Sequence, residues 1–252
     1  MSTKKKYLFG RYALKTDIGR IRMTNEDRAC AITNTRGNIL LMVCDGMGGQ
    51  NKGELASSIA INVISQAFQE KNRFIGKLFA KRWVSSVIRA ANAEIFRQAS
   101  KNPNYQGMGT TLTLVLIVGD YMVVAQCGDS RAYTYRNRTM TQITEDQTYV
   151  QYLYRIGEIT EEEIATHPKR HILMNALGIY PSLDLDIKAY PYLNDTILVC
   201  SDGLYNNVAQ KDILSILKGS DTPDQKVNEL VSLANANGGS DNIAVVVWEA
   251  QE

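Results

Sequence analysis

The chain has 252 residues, 44% of them apolar and 21% charged, with a formal net charge of +2. That near-neutral balance gives no global electrostatic basis for binding nucleic acid or an acidic membrane surface. The longest apolar stretch, near Leu112 to Val118, is far short of the ~20 residues of a membrane helix.

The Lys4-Lys5-Lys6 run is the one local basic block. It reads as a solvated tail, and no apolar segment follows it to make a signal peptide. From Tyr7 to Cys44 the sequence alternates and is rich in β-branched and aromatic residues, which predicts two or three strands. Two helices follow. Ala56, Ile59, Ala60, Val63, Ile64 and Ala67 recur at helical spacing in the first, and Val84, Val87, Ile88, Ala91 and Ile95 in the second. Strands are expected at Thr110 to Val118 and Tyr121 to Cys127, joined by the hairpin turn Gly119-Asp120. A further hairpin is expected around Arg136-Asn137-Arg138. Residues Asp146 to Leu177 are polar and helical in character. Strands return at Leu183 to Ala189 and Thr196 to Cys200. A helical pair covers Gln210 to Leu217 and Pro223 to Ala236, and Asn242 to Glu249 is the last strand. Hairpins outnumber β-α-β crossovers, so the expected fold is α+β: packed antiparallel sheets with helices outside.

Cys30, Cys44, Cys127 and Cys200 form no C-x-x-C pair and lie in or at the ends of strands. They read as small buried hydrophobes in a reducing compartment, and the chain as cytoplasmic. Four apolar runs each carry an aspartate at one end: Asp45, Asp129, Asp202 and Asp241. Glu26 and Asp27 add an acidic pair near the start. Carboxylates gathered at the ends of a sheet repel one another, by about 4 kcal/mol per pair at ~4 Å and an effective dielectric of ~20. Divalent cations with oxygen ligands would relieve that repulsion. Few histidines and no Cys/His cluster of zinc spacing favour Mg²⁺ or Mn²⁺. Spacing alone leaves a second reading open, that of independent Asp-Gly turns.

The segments TDIGRIRMTNED, VCDGMGG, GMGTTLT, QCGDSRAY, ITEDQT, CSDGL and GGSDNIAVVV occur in that order from Thr16 to Val247. In this the chain resembles the metal-dependent protein phosphatases of type 2C, and most of all their short bacterial members. The resemblance implies a four-layer α-β-β-α sandwich with a helical flap at about 146–178, and a single catalytic domain over residues 1–252. It implies that Asp45 bridges two metals and Gly46 offers its carbonyl. Asp202 and Asp241 complete one metal site. Glu26 and Asp27 serve the other metal or its waters, with the direct ligand of the pair left open. Asp129 resembles a ligand for a weaker third metal. Arg22 matches the arginine that grips the substrate phosphate. Arg20 is its rival, since on a strand the two would share a face. The implied reaction is hydrolysis of phosphoserine and phosphothreonine by a metal-bridged water. Phosphorylated Ser/Thr kinases and their substrates are the expected partners, and the expected state is a monomer.

Three positions depart from the family pattern. Met47 stands where many relatives have a histidine, Gln147 where a histidine is common, and Asn175 where bacterial relatives often carry arginine. His167 and His171, the only histidines, are expected on the surface or packed in the flap. Two other functions are open to such a chain. A non-catalytic phosphoprotein-binding domain of the same fold should have lost one of Asp45, Asp202 or Asp241. A two-metal phosphodiesterase or nuclease should carry a basic-aromatic stripe.

Overall fold

A computed structural model describes residues 9–48, 52–71 and 73–251. The three lysines and Tyr7 lie outside the described residues. In chain order the elements are β1 (Gly10–Asp17), β2 (Arg28–Thr33), β3 (Ile39–Cys44), β4 (Gly46–Met47), α1 (Lys52–Glu70), α2 (Gly76–Lys101), a 3₁₀ turn (Pro103–Tyr105), β5 (Gly109–Thr110), β6 (Leu112–Val118), β7 (Tyr121–Cys127), β8 (Arg131–Arg136) and β9 (Thr139–Gln142). They continue with α3 (Tyr149–Arg155), α4 (Glu161–Ile164), β10 (Asp186–Pro191), β11 (Thr196–Cys200), α5 (Asp202–Tyr205), α6 (Gln210–Lys218), α7 (Pro223–Ala236) and β12 (Ile243–Ala250).

Two five-stranded antiparallel sheets form, in the orders β1-β12-β11-β8-β9 and β10-β7-β6-β3-β2. The central strands β3, β6, β7, β11 and β12 are buried on both faces, so the side-chain alternation sorts their residues into two different cores. In β3, Ile39, Leu41 and Val43 face the other sheet, meeting Ile197, Val199, Val246 and Trp248. The alternate residues Leu40, Met42 and Cys44 pack outward with Ile64 and Phe68 of α1 and Ile88 of α2. On the far side Leu198, Val245 and Val247 pack against Leu230 and Val231 of α7. The order of layers is therefore helix, sheet, sheet, helix, as expected.

The hairpins fall where the turn residues place them. Gly119 has φ +58° between β6 and β7, and Asn137 and Arg138 have φ +50° and +66° between β8 and β9. Two strands differ from expectation. The strand predicted from Thr110 breaks at Thr111, because Thr110 pairs with Gly46 while Thr111 turns its amide to the Asp45 carbonyl at 2.8 Å. The strand predicted from Leu183 begins only at Asp186. The Leu183 carbonyl is taken by Arg89 at 3.0 Å and the Asp184 carbonyl by Asn175 at 2.7 Å, so neither joins a ladder.

Candidate active site

The acids collect at one edge of the sandwich because antiparallel register puts their strand ends together. Asp129 precedes β8 and Asp202 follows β11, and the pairing of Arg131 with Cys200 sets them side by side. Arg28 pairs with Cys44, which places Asp27 beside Asp45. Asp241 precedes β12, whose Val245 pairs with Cys200. The two sheets are joined at this edge by Ser201, whose hydroxyl donates to Asp27 at 2.6 Å and accepts from the Ala244 amide at 2.8 Å.

Asp45 stands in the field of the other aspartates, Asp27 and Asp202 foremost. Its backbone is held by Thr111 and Thr110: its amide donates to Thr111 Oγ1 at 2.9 Å, and its carbonyl accepts from Thr110 Oγ1 at 2.9 Å. Gly46 must be glycine, since a Cβ there would lie 2.3 Å from the Gly53 carbonyl oxygen and 2.6 Å from that of Glu26. Glu26 is tied through its main chain. Its amide donates to Asn242 Oδ1 at 2.8 Å, and its carbonyl accepts from Ser57 at 2.7 Å. Of the acidic pair, Asp27 shares the field of the other aspartates.

Burial, and then the charges of Asp27 and Asp202, hold the Asp45 carboxyl well above the usual range. Burial and neighbouring acids push Asp27 and Asp129 up to about 7, and burial and Asp241 push Asp202 up to about 6. Glu26 Oε1, Asp27 Oδ1 and Asp202 Oδ1 are buried with no donor. Buried carboxylate oxygens without partners are costly. Among the described residues no three Asp, Glu, His or Cys side chains stand in a closed ligand shell. They are neighbours at Coulomb range, with spare oxygen acceptors and no nitrogen or sulfur donor. That set fits hard divalent cations such as Mg²⁺ and Mn²⁺.

Residues 18–27 form no strand, so periodicity does not relate Arg20 to Arg22. Arg20 turns into the α7–β12 loop, its amide donating to the Gly239 carbonyl at 2.7 Å. Arg22 instead reaches the acids and pairs with Asp241 at 2.7 Å. Burial pulls its pKa down, but Asp241, Asp45 and Asp202 outweigh that and raise it.

A cleft of about 400 Å³ opens between this edge and the 146–178 segment, lined in part by Asp129, Asp202, Arg131, Asp146 and His171. Arg131 forks onto Asp146 and lies 3.6 Å over the Tyr205 ring. His167 packs within the flap, its ring 6.4 Å from that of Tyr149. All four cysteines are buried, and burial raises each thiol: Cys30 to about 11, Cys200 to about 12, Cys44 and Cys127 also well upward. None is an activated nucleophile.

Sequence reasoning passed over Ser201, Asn242 and Thr111. Each stands next to, or shares a quoted segment with, an acid or its partner. For Ser201 and Asn242 the signal is a hydroxyl or amide beside a carboxylate, which also reads as ordinary turn chemistry, and Thr111 carries no such signal.

The family model for Protein phosphatase 2C matches residues 21–243. The chain belongs to the protein phosphatase 2C family. The serine/threonine phosphatase stp of Listeria monocytogenes is 37% identical over 236 residues, covering 93% of this phosphatase and 94% of the relative. The solved structure of the serine/threonine phosphatase Stp1 from Staphylococcus aureus matches with a TM-score of 0.91 at 31% identity, over 100% of both chains. The catalytic domain of the serine/threonine protein phosphatase PstP, solved in complex with two manganese ions, matches with a TM-score of 0.85 at 34% identity. That match covers 97% of this phosphatase and 100% of the solved chain.

Proposed function

We propose that this phosphatase is a metal-dependent serine/threonine protein phosphatase working with a pair of Mn²⁺ or Mg²⁺ ions. One observation carries the reading. Asp27, Asp45 and Asp202 meet at one edge of the sandwich, Asp27 buried and the other two half-buried, with a carboxylate oxygen of Asp27 and one of Asp202 left without a donor, and the charges of both neighbours bear on Asp45. A ligand shared by two cations would need such close acidic neighbours. In this reading Asp45 would be shared by both cations and Gly46 would offer its carbonyl, Asp202 and Asp241 would complete one site, and Asp27 or Glu26 would serve the other. Asp129, beside Asp202, provides the weaker third site. Cations bound there lower the pKa of water and neutralise charge on the phosphoryl oxygens.

The side chains supply the rest. Arg22 leaves Asp241 and forks onto the substrate phosphate, keeping its charge throughout. Met47 has no proton to give the leaving alkoxide, so that proton comes from water or another group in the cleft. No cysteine takes part.

The substrates are phosphoproteins, and among them we place phosphorylated Ser/Thr kinases and their targets. We take residues 1–252 as one catalytic domain, with 146–178 as its flap, acting as a cytoplasmic monomer. The buried reduced cysteines support that compartment. No helix among the described residues is long and apolar enough to cross a membrane. The test is hydrolysis of p-nitrophenyl phosphate and of a phosphothreonine peptide with added Mn²⁺. Turnover should vanish in EDTA, survive thiol alkylation, and be far slower on bis-p-nitrophenyl phosphate. Robust metal-free turnover would overturn the reading.

A further inference from the structure

Gln147 and Asn175, two of the positions that depart from the family pattern, are joined in the structure. The Gln147 side-chain oxygen accepts from the Gly128 amide at 3.1 Å and from Asn175 Nδ2 at 3.0 Å. Asn175 Nδ2 also donates to the Asp184 carbonyl at 2.7 Å. The orientation of both amides follows from backbone groups whose roles are not in question. The Gly128 N–H can only donate, so it faces the Gln147 oxygen. The Asp184 carbonyl can only accept, so it faces the Asn175 nitrogen. An amide oxygen has two lone pairs and takes both donors at once. A single imidazole nitrogen, with one lone pair, does not.

The main chain of Gln147 makes the same connection. Its amide donates to the Gly128 carbonyl at 3.0 Å, and its carbonyl accepts from the Met174 amide at 2.8 Å. The next residues continue the zipper: Thr148 bridges to Leu173, and the Tyr149 amide donates to Ile172 at 2.8 Å. The entry and exit of the flap are thus paired, and the pair is fastened to Gly128. Gly128 itself has little freedom. Its φ is +101°, and a Cβ there would lie 2.6 Å from Thr111. The residue after it is Asp129, which lines the cleft with Asp202.

We propose that Gln147, with Asn175 behind it, is a positioning residue that registers the flap to the Asp129 loop, so that Asp129 keeps its place only while the flap base is seated. The proposal rests on the phosphatase reading for its kinetic arm alone.

The test compares wild type with Gln147→Met, which keeps length and volume but has no acceptor, and with Asn175→Ala. Amide hydrogen exchange is measured on the metal-free protein, and Mn²⁺ titrations follow both calorimetric binding and p-nitrophenyl phosphate turnover. In Gln147→Met, exchange should quicken by about threefold to tenfold both at Gly128 and at residues 173–175, as the loss of one hydrogen bond on each side allows. The Mn²⁺ concentration for half-maximal turnover should rise several-fold, with turnover at saturating Mn²⁺ within about twofold. Asn175→Ala should move the same readouts by less, and Gln147→Glu, which keeps the double acceptor, should restore slow exchange at Gly128. If exchange quickens at 173–175 alone, with Gly128 protected and the Mn²⁺ titration unmoved, the residue only stabilises the flap and the proposal falls. Should Gln147→Met unfold the protein, Asn175→Ala decides by the same two readouts. An inactive wild type with the exchange pattern as expected would sink the phosphatase reading and leave the coupling intact.

Discussion

Asp45 is the residue on which stability and activity pull in opposite directions. Its half-buried carboxylate lies in the field of Asp27 and Asp202, so in the absence of cations its charge destabilises the fold. Asp45→Asn keeps the shape and removes the charge. The variant should lose turnover by about a thousandfold or more, yet melt at or above the wild-type temperature without metal. Asp241→Asn should lose turnover in the same way. Arg22→Ala should act on substrate instead, raising KM for phosphate esters by about ten- to a hundredfold. Its effect on melting should be slight, because the Arg22–Asp241 pair is half exposed. Near-normal rates in Asp45→Asn would show that Asp45 is not the shared ligand. The acids themselves were legible as residues, since an aspartate beside a buried strand stands out. Choosing Arg22 over Arg20 was beyond periodicity, because that rule needs a strand and the two lie on a loop held by Gly239 and Asn242.

That loop, residues 18–27, owes its shape mainly to one amide. Asn242 donates to the carbonyls of Ile18 and Thr24, both at 2.9 Å, and accepts from the Glu26 amide at 2.8 Å. Asn242→Ala should cost about 2–4 kcal/mol in chemical denaturation, as three buried or part-buried bonds are lost together. It should also raise KM, through a misplaced Arg22. Unchanged KM with lowered stability would mean the loop finds its position without Asn242. At this scale the strands and the long helices were legible from period and turn residues. What escaped was competition for backbone groups. Thr111 leaves its strand because Asp45 needs its amide and hydroxyl, and Leu183 and Asp184 stay out of β10 because Arg89 and Asn175 hold their carbonyls. Such partners are distant in sequence, and no local pattern announces them. The pairing of β1 with β12 was equally hidden.

The whole molecule carries its acids as a pH-dependent load. Asp27, Asp129 and Asp202 have folded-state pKa values of about 6 to 7 against 3.8 for a free aspartate. Between those limits the folded state binds more protons than the unfolded one, so stability falls as pH rises. The metal-free protein should therefore melt lower at pH 7.5 than at pH 5. Saturating Mn²⁺ should raise the melting temperature at pH 7.5 far more than at pH 5, because cations take the place of the protons. A melting temperature that is flat from pH 5 to 7.5 without metal would contradict the crowding of carboxylates.

The zipper of β1 against β12, from Gly10 opposite Ala250 to Asp17 opposite Ile243, has a consequence for synthesis. Arg22 follows the first of these strands and Asp241 precedes the second. A nascent chain that has emerged only as far as β11 already exposes Asp45, Asp129 and Arg22, but it has neither Asp241 nor the strand that seats β1. Its central strands must wait with one apolar face uncovered, in the care of whatever shields nascent chains. A copy made only that far cannot dephosphorylate anything: the active site closes only when Asp241 and β12 have emerged.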